Sequence, residues 1–200
     1  MVYETIIGTD FHKLHPMLKQ RYSLKLGETF KSQGVMEVME TKPSFLKPAY
    51  QILSKLKFIV PESGTNIKFD MQYTLTHCDE KTAEFKWVRK FYFPSETYEF
   101  HTRMVVDFDT GIVKDYMGAP SVVNSHLQFD VTNSGELMTR STAVEAVICK
   151  QDIPTPAIFA PSALVLEGFD EQTQQHTIHL TIYHPLLGTM MRYAGKFRAL

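Results

Sequence analysis

Two hundred residues carry 21 Lys plus Arg against 22 Asp plus Glu, a formal net charge of −1 that supplies no field to gather nucleic acid or an anionic membrane. That length suits one domain, residues 1–200, with a sizeable core. The two cysteines, Cys78 and Cys149, form no C-x-x-C pair, which argues against a metal or thioredoxin-type redox site and for reduced thiols in strands.

The N-terminus, Met1–Asp10, has no basic start and no apolar run of signal length, and the longest apolar stretches elsewhere are strand-sized. The expectation is a cytoplasmic protein without a membrane partner. Phe11, Leu14, Leu18 and Tyr22 then recur at three- and four-residue spacing, which predicts a helix in residues 10–22, or one that begins with Pro16 in its first turn. Gly34–Glu40 reads as a short strand. Pro43–Phe58 predicts a second helix with Phe45, Ala49, Ile52, Leu53 and Leu56 on one face and Pro48 in its first turn. Residues 1–60 are thus expected to form a helical N-terminal cap.

From Ile67 the pattern changes to period two. Ile67, Phe69, Met71, Tyr73 and Leu75 alternate with polar residues, and the same alternation runs through Tyr98–Phe108 and Val123–Val131. Asp109-Thr110-Gly111 and Asn133-Ser134-Gly135 read as hairpin turns. Further strands are predicted near Ile112–Met117, Leu137–Ile148, Ala163–Phe169, Thr177–His184 and Met190–Phe197, interrupted by the Pro-rich Ile153–Pro156. The fold class is mainly β: an antiparallel meander forming a curved sheet or barrel over residues 67–200, with two short N-terminal helices packed over one opening. A helix-grip fold fits less well, because the residues up to Phe197 are strand-like where that fold needs a long helix.

Ala83–Phe93 supplies the most informative strand. Its apolar face carries Ala83, Phe85, Trp87, Phe91 and Phe93, and in their midst Arg89. A guanidinium in an aromatic wall needs a carboxylate or a bound anion as partner. Glu167 and then Glu145, single acids in apolar strands, are the expected protein partners; either one facing a dry cavity alone would have a raised pKa and acid–base potential. His184, at a strand end beside Tyr183, is a candidate for a cavity mouth. His12 and His15 stand three apart with no third ligand nearby, which argues against a metal site.

Leu14–Leu18 (LHPML) with Arg21-Tyr22, Phe58–Gly64 (FIVPESG), Trp87–Phe91 (WVRKF), Asp107–Pro120 (DFDTGIVKDYMGAP), and Pro185–Gly188 with Tyr193–Phe197 occur in that order. Together they resemble a bacterial domain of unknown function, found at the C-terminus of YndJ-like Bacillus proteins and fused to saccharopine-dehydrogenase-like proteins. The resemblance implies no catalytic residue, and the reductase-like fusion partner implies small-molecule metabolism.

The chain contains no G-x-G-x-x-G, P-loop, H-E-x-x-H or G-x-S-x-G motif, and its basic residues form no single stripe. The expected function is an internal cavity that binds a small amphipathic or anionic ligand through Arg89, Trp87, Phe91, Glu167, Glu145, Tyr183 and His184, with no metal, nucleotide or other cofactor. Two alternatives stand beside it: an acid–base enzyme working in the same cavity through Glu167 or His184, and a structural or interaction domain whose core is filled. No feature assigns an oligomeric state.

Overall fold

A computed structural model describes residues 1–200. Alternation of apolar and polar residues drives strands whose inner faces bury against one another. They are β1 (Thr29–Thr41), β2 (Gly64–Cys78), β3 (Thr82–Tyr92), β4 (Thr97–Asp107), β5 (Val113–Gly118), β6 (Ser121–Val131), β7 (Leu137–Ile148), β8 (Gln151–Pro154), β9 (Ser162–Asp170), β10 (Gln175–His184) and β11 (Gly188–Ala199). All pairings are antiparallel, and β6 joins β7 while β1 joins β11, so ten strands close into a barrel. Closure removes the exposed edges that an open meander would present. The short β8 stands outside the closed ring, paired only with β7. It is tied down from outside by the Asp152 carboxylate, which accepts from Lys114 Nζ at 2.9 Å and from the Tyr116 hydroxyl at 2.8 Å. Cys149 belongs to the turn between β7 and β8 rather than to a strand, and both cysteines are exposed free thiols.

Three short helices precede or interrupt the meander: α1 (Val2–Ile7), α2 (Pro16–Arg21) and α3 (Lys47–Lys55). Helix α1 was not expected. Tyr3 anchors it, with its ring 4.2 Å from Tyr22 and 5.5 Å from Phe85. Helix α2 does begin at Pro16, and its N-cap residue His15 accepts from the Met17 amide through Nδ1 at 3.2 Å. No helix is long and apolar enough to cross a membrane.

The helical segments occupy opposite mouths of the barrel, not one. Residues 1–28 meet the turn after β6, where the His15 amide donates to the Gly135 carbonyl at 2.9 Å. The α3 segment meets the turn before β6, where the Ala119 amide donates to the Leu56 carbonyl at 2.7 Å. Strand β1 separates the two segments in sequence and carries the chain from one end of the barrel to the other. The buried face of α3 also differs from expectation. Tyr50 is buried and Leu53 half-buried, whereas Phe45 and Ile52 are 71% and 66% exposed. A 3-10 turn at Ser44–Leu46 leads into the helix and leaves Phe45 outside it, while Ile52 lies on the solvent side of the helix itself.

The seam between β1 and β11 is unusually tight. Met36 lies opposite Gly195 and Gly34 opposite Phe197. A Cβ on Gly195 would stand 2.8 Å from Met36 Cα and would also overlap the Val35 carbonyl oxygen. Because those atoms are backbone, they cannot swing aside. Gly195→Ala is expected to cost about 2 kcal/mol in urea unfolding, the usual scale of a forced backbone shift. Unchanged stability would mean that the strands do not pass this closely.

Candidate functional site

A second guanidinium, at Arg21, dominates the buried chemistry, and the sequence reading assigned it no role. Its side chain is wholly buried where α2 ends inside the barrel mouth, and Nη2 donates to Glu167 Oε1 at 2.7 Å. The Tyr22 hydroxyl donates to Glu167 Oε2 at 2.5 Å, and the Tyr73 hydroxyl donates to the Arg21 carbonyl. Five aromatic rings surround the cation: the nearest, Tyr22 and Phe197, have centroids 4.9 Å from Cζ, and Phe30, Tyr73 and Trp87 complete the cage. Burial works to raise the Glu167 carboxyl, yet the charge of Arg21 and the hydroxyl of Tyr22 hold it below the usual carboxylate range. Next to the cage, His176 stacks on Phe197 at 5.2 Å, and burial, reinforced by Arg21, pushes its imidazole down to about 4.

Glu167 is therefore the partner of Arg21, which corrects its expected pairing with Arg89. It sits near the barrel mouth on β9, between Ile178 and Leu137, within reach of the incoming α2. Glu145 is not the partner either. A bulge at Thr142, where the β6–β7 register shifts, reverses the inward face of β7, so that Val144 is buried and Glu145 turns outward to Lys114 at 2.7 Å.

Arg89 does point inward with Trp87 and Phe91, and its Cζ lies 5.0 Å from the Trp87 ring and 5.4 Å from the Phe100 ring. Its Nε and Nη1 are buried without a hydrogen-bond partner, and no carboxylate comes within 4.0 Å. Two acids share its compartment: Glu167, already bonded to Arg21 but also held down by the charge of Arg89, and Asp115 on β5. Burial pushes the Asp115 carboxyl up to about 6, against the opposing pull of Arg89 and the Thr102 hydroxyl, and Oδ1 has no partner. The alternation Val113, Asp115, Met117 carries the signal that places Asp115 on the inner face. The matching signal for Arg21 is its spacing from Leu14 and Leu18 on one helical face.

Arg89 and Asp115 line one compartment of about 120 Å³, together with Trp87, Thr102, Leu127 and Phe129. A second compartment, also about 120 Å³, continues toward α3 beneath Tyr50 and Leu53. Phe100, Met117, Ser125, Leu180, Ile182 and Tyr193 line both. Phe91 is buried in the aromatic half of the core and lines neither. Tyr183 is 48% exposed beyond a bulge at Met190 of the neighbouring β11, and His184 Nδ1 accepts from the Leu186 amide at 3.1 Å within a turn. Neither reaches the interior. His12 and His15 diverge as well, the first to the Thr9 carbonyl and the second to Glu171.

Removing one member of the buried pair leaves the other charge uncompensated. Arg21→Met and Glu167→Gln are each expected to lose about 3 kcal/mol or more in urea unfolding, and the double variant should recover a good part of the summed loss. Additive losses would show that the two residues do not interact. A pH dependence follows from the same cluster. An unfolded imidazole takes a proton near 6.5, whereas folded His176 resists protonation until about 4, so stability drains away as pH falls through that window. The lowered carboxyl of Glu167 works in the same direction on acidification. His176→Gln should flatten the acid limb of a plot of Tm against pH; an unchanged slope would remove His176 from the account.

The comparisons with known proteins cover almost the whole barrel. The chain is 27% identical over 197 residues to an uncharacterised Bacillus subtilis (strain 168) protein called YndH, a match that spans 98% of this chain and 96% of that protein. A family model described as a domain of unknown function (DUF4166) matches residues 14–197. Arg21, Arg89, Asp115, Glu167 and the tight β1–β11 seam all fall inside that match, and the chain belongs to this family, DUF4166.

Proposed function

We propose that the barrel binds a small, largely apolar molecule bearing an anionic head, with the head held by Arg89 and the body lying between the two apolar compartments. One observation carries this reading. Nε and Nη1 are buried without a partner in both Arg21 and Arg89, at about 1–3 kcal/mol for each unpartnered donor, but Arg89 alone also lacks a carboxylate and lines a cavity. An acceptor on a ligand would satisfy its donors, and a guanidinium is well shaped to grip a carboxylate or phosphate. Compartments of about 120 Å³ each favour a short chain or a single ring over a drug-sized molecule. Exposed free thiols at Cys78 and Cys149 fit the cytoplasm, where cysteines stay reduced.

Asp115 favours a second reading, an acid–base enzyme in the same cavity. A carboxyl pushed up to about 6 is suited to moving protons near neutral pH. Glu167, locked to Arg21 and Tyr22, and His184, outside the cavity, are poorer candidates for that role.

A thermal-shift screen of straight-chain carboxylic acids of graded length, with single-ring acids beside them, tests the binding reading. At a hundredfold excess over Kd a ligand adds about 2.7 kcal/mol, enough to raise the Tm of a domain this size by several degrees. Wild type should respond to at least one acid. Arg89→Met, which keeps the stem but removes the donors, should not. A wild type indifferent to every compound would sink the proposal.

A further inference from the structure

We propose that the anionic head enters the barrel together with a proton, and that Asp115 is the group that takes that proton up. This inference rests on the binding reading above and specifies the chemistry of its head-group site. Arg89 on β3 and Asp115 on β5 flank β4, whose Thr102 and Met104 lie opposite Trp87 and Asp115 respectively in the two neighbouring registers. Both charged side chains line one compartment, yet they form no ion pair within 4.0 Å, and each keeps polar atoms without partners. Empty, the compartment is lined by Arg89, Asp115 and Glu167, and because Arg21 already balances Glu167, Arg89 and Asp115 are left to balance each other. A bound anion would leave a net negative charge in a low-dielectric interior, where like charges repel far more strongly than in water. A proton on the Asp115 carboxylate restores neutrality. It also converts an acceptor that would repel the head into a donor that can hydrogen-bond it.

The other groups facing Asp115 do not compete for this proton. They are the Tyr3 phenol from α1, the Tyr193 phenol from β11, and the Glu167 carboxylate from β9 with its Arg21 partner. Burial raises both phenols, and Arg21 with Tyr22 holds the Glu167 carboxyl low, so none of these changes charge between pH 6 and 8. Asp115 alone is poised there, since burial pushes it up to about 6. Protonating it at pH 7 therefore costs about tenfold in affinity, one pH unit's worth.

Hexanoate and hexanesulfonate are the probes, the second because a sulfonate stays ionised and any proton taken must reside on the protein. Calorimetric titration of wild type near pH 7.5, in cationic buffers of different ionisation enthalpy, should report uptake of close to one proton per ligand. Affinity should fall about tenfold per unit between pH 7 and 8. Asp115→Asn should bind with no uptake and no pH dependence, and more tightly than wild type at pH 8, an outcome that a purely structural role for Asp115 does not produce. Arg89→Met should lose binding at every pH. Binding to wild type without proton uptake, or uptake that persists in Asp115→Asn, overturns the proton-coupled inference and leaves the binding reading standing. Failure of both probes to bind wild type overturns the two together.

Discussion

The bond between Arg21 and Glu167 ties the N-terminal segment to the barrel wall. A buried ion pair is a weak source of net stability, because desolvation consumes most of its Coulombic gain. Its effect here is positional. Glu167 accepts from Arg21 and from Tyr22 on adjacent residues, Tyr73 returns a hydrogen bond to the Arg21 carbonyl, and five rings cover the cation. Few other arrangements of residues 1–28 would make these bonds together, although Nε and Nη1 of Arg21 meet only the aromatic cage. The pair therefore specifies where the segment lies, and through Tyr3 and Leu18 it fills one end of the interior.

That filling is uneven, and the unevenness creates the cavity. Phe69, Tyr73, Phe85, Phe91 and Phe197 pack the side of the barrel built from β1, β2, β3 and β11, with Tyr73 stacked on Trp87 at 4.0 Å. Across the interior, β6, β7, β9 and β10 present smaller or shorter side chains such as Ser125, Thr139, Ala163 and Val165. Arg89 and Asp115 stand at the boundary between the two halves. The two buried guanidiniums thus live under different regimes. Arg21 has a carboxylate and a complete aromatic cage, while Arg89 has two rings and open space.

How much of this was legible depended on whether local pattern or long-range register decided the outcome. The period-two run after Ile67 exposed the barrel, because a wall with one dry face imposes alternation on every strand. Arg89 was readable as inward for the same reason. Glu145 was not, because one extra residue at Thr142 inverts the face and a bulge leaves no mark in the alternation before it. Asp115 was harder to read, because only Val113 and Met117 mark the inner face of its short strand and the aromatic Tyr116 lies on the other. The partner of Glu167 came from residue 21, a separation that no short-range pattern reports. The placement of α2 and α3 at opposite mouths follows from β1 alone, which proved longer than Gly34–Glu40 and long enough to cross the barrel.

The seam between β1 and β11 carries a consequence for biosynthesis. Strand β1 spans residues 29–41, but the neighbour that completes it spans residues 188–199, so one edge of β1 stays open while nearly the whole meander is being translated. Glu167 likewise arrives long after Arg21, and until then the guanidinium has no carboxylate to enter the barrel with. Local hairpins can form as they emerge, whereas the ring and its plug must wait for distant segments, a topology that slows folding and prolongs exposure of a sticky strand edge. The glycines at Gly34 and Gly195 make that last pairing close and selective, since the two backbones approach to a distance that other side chains on those positions would forbid to a competing strand.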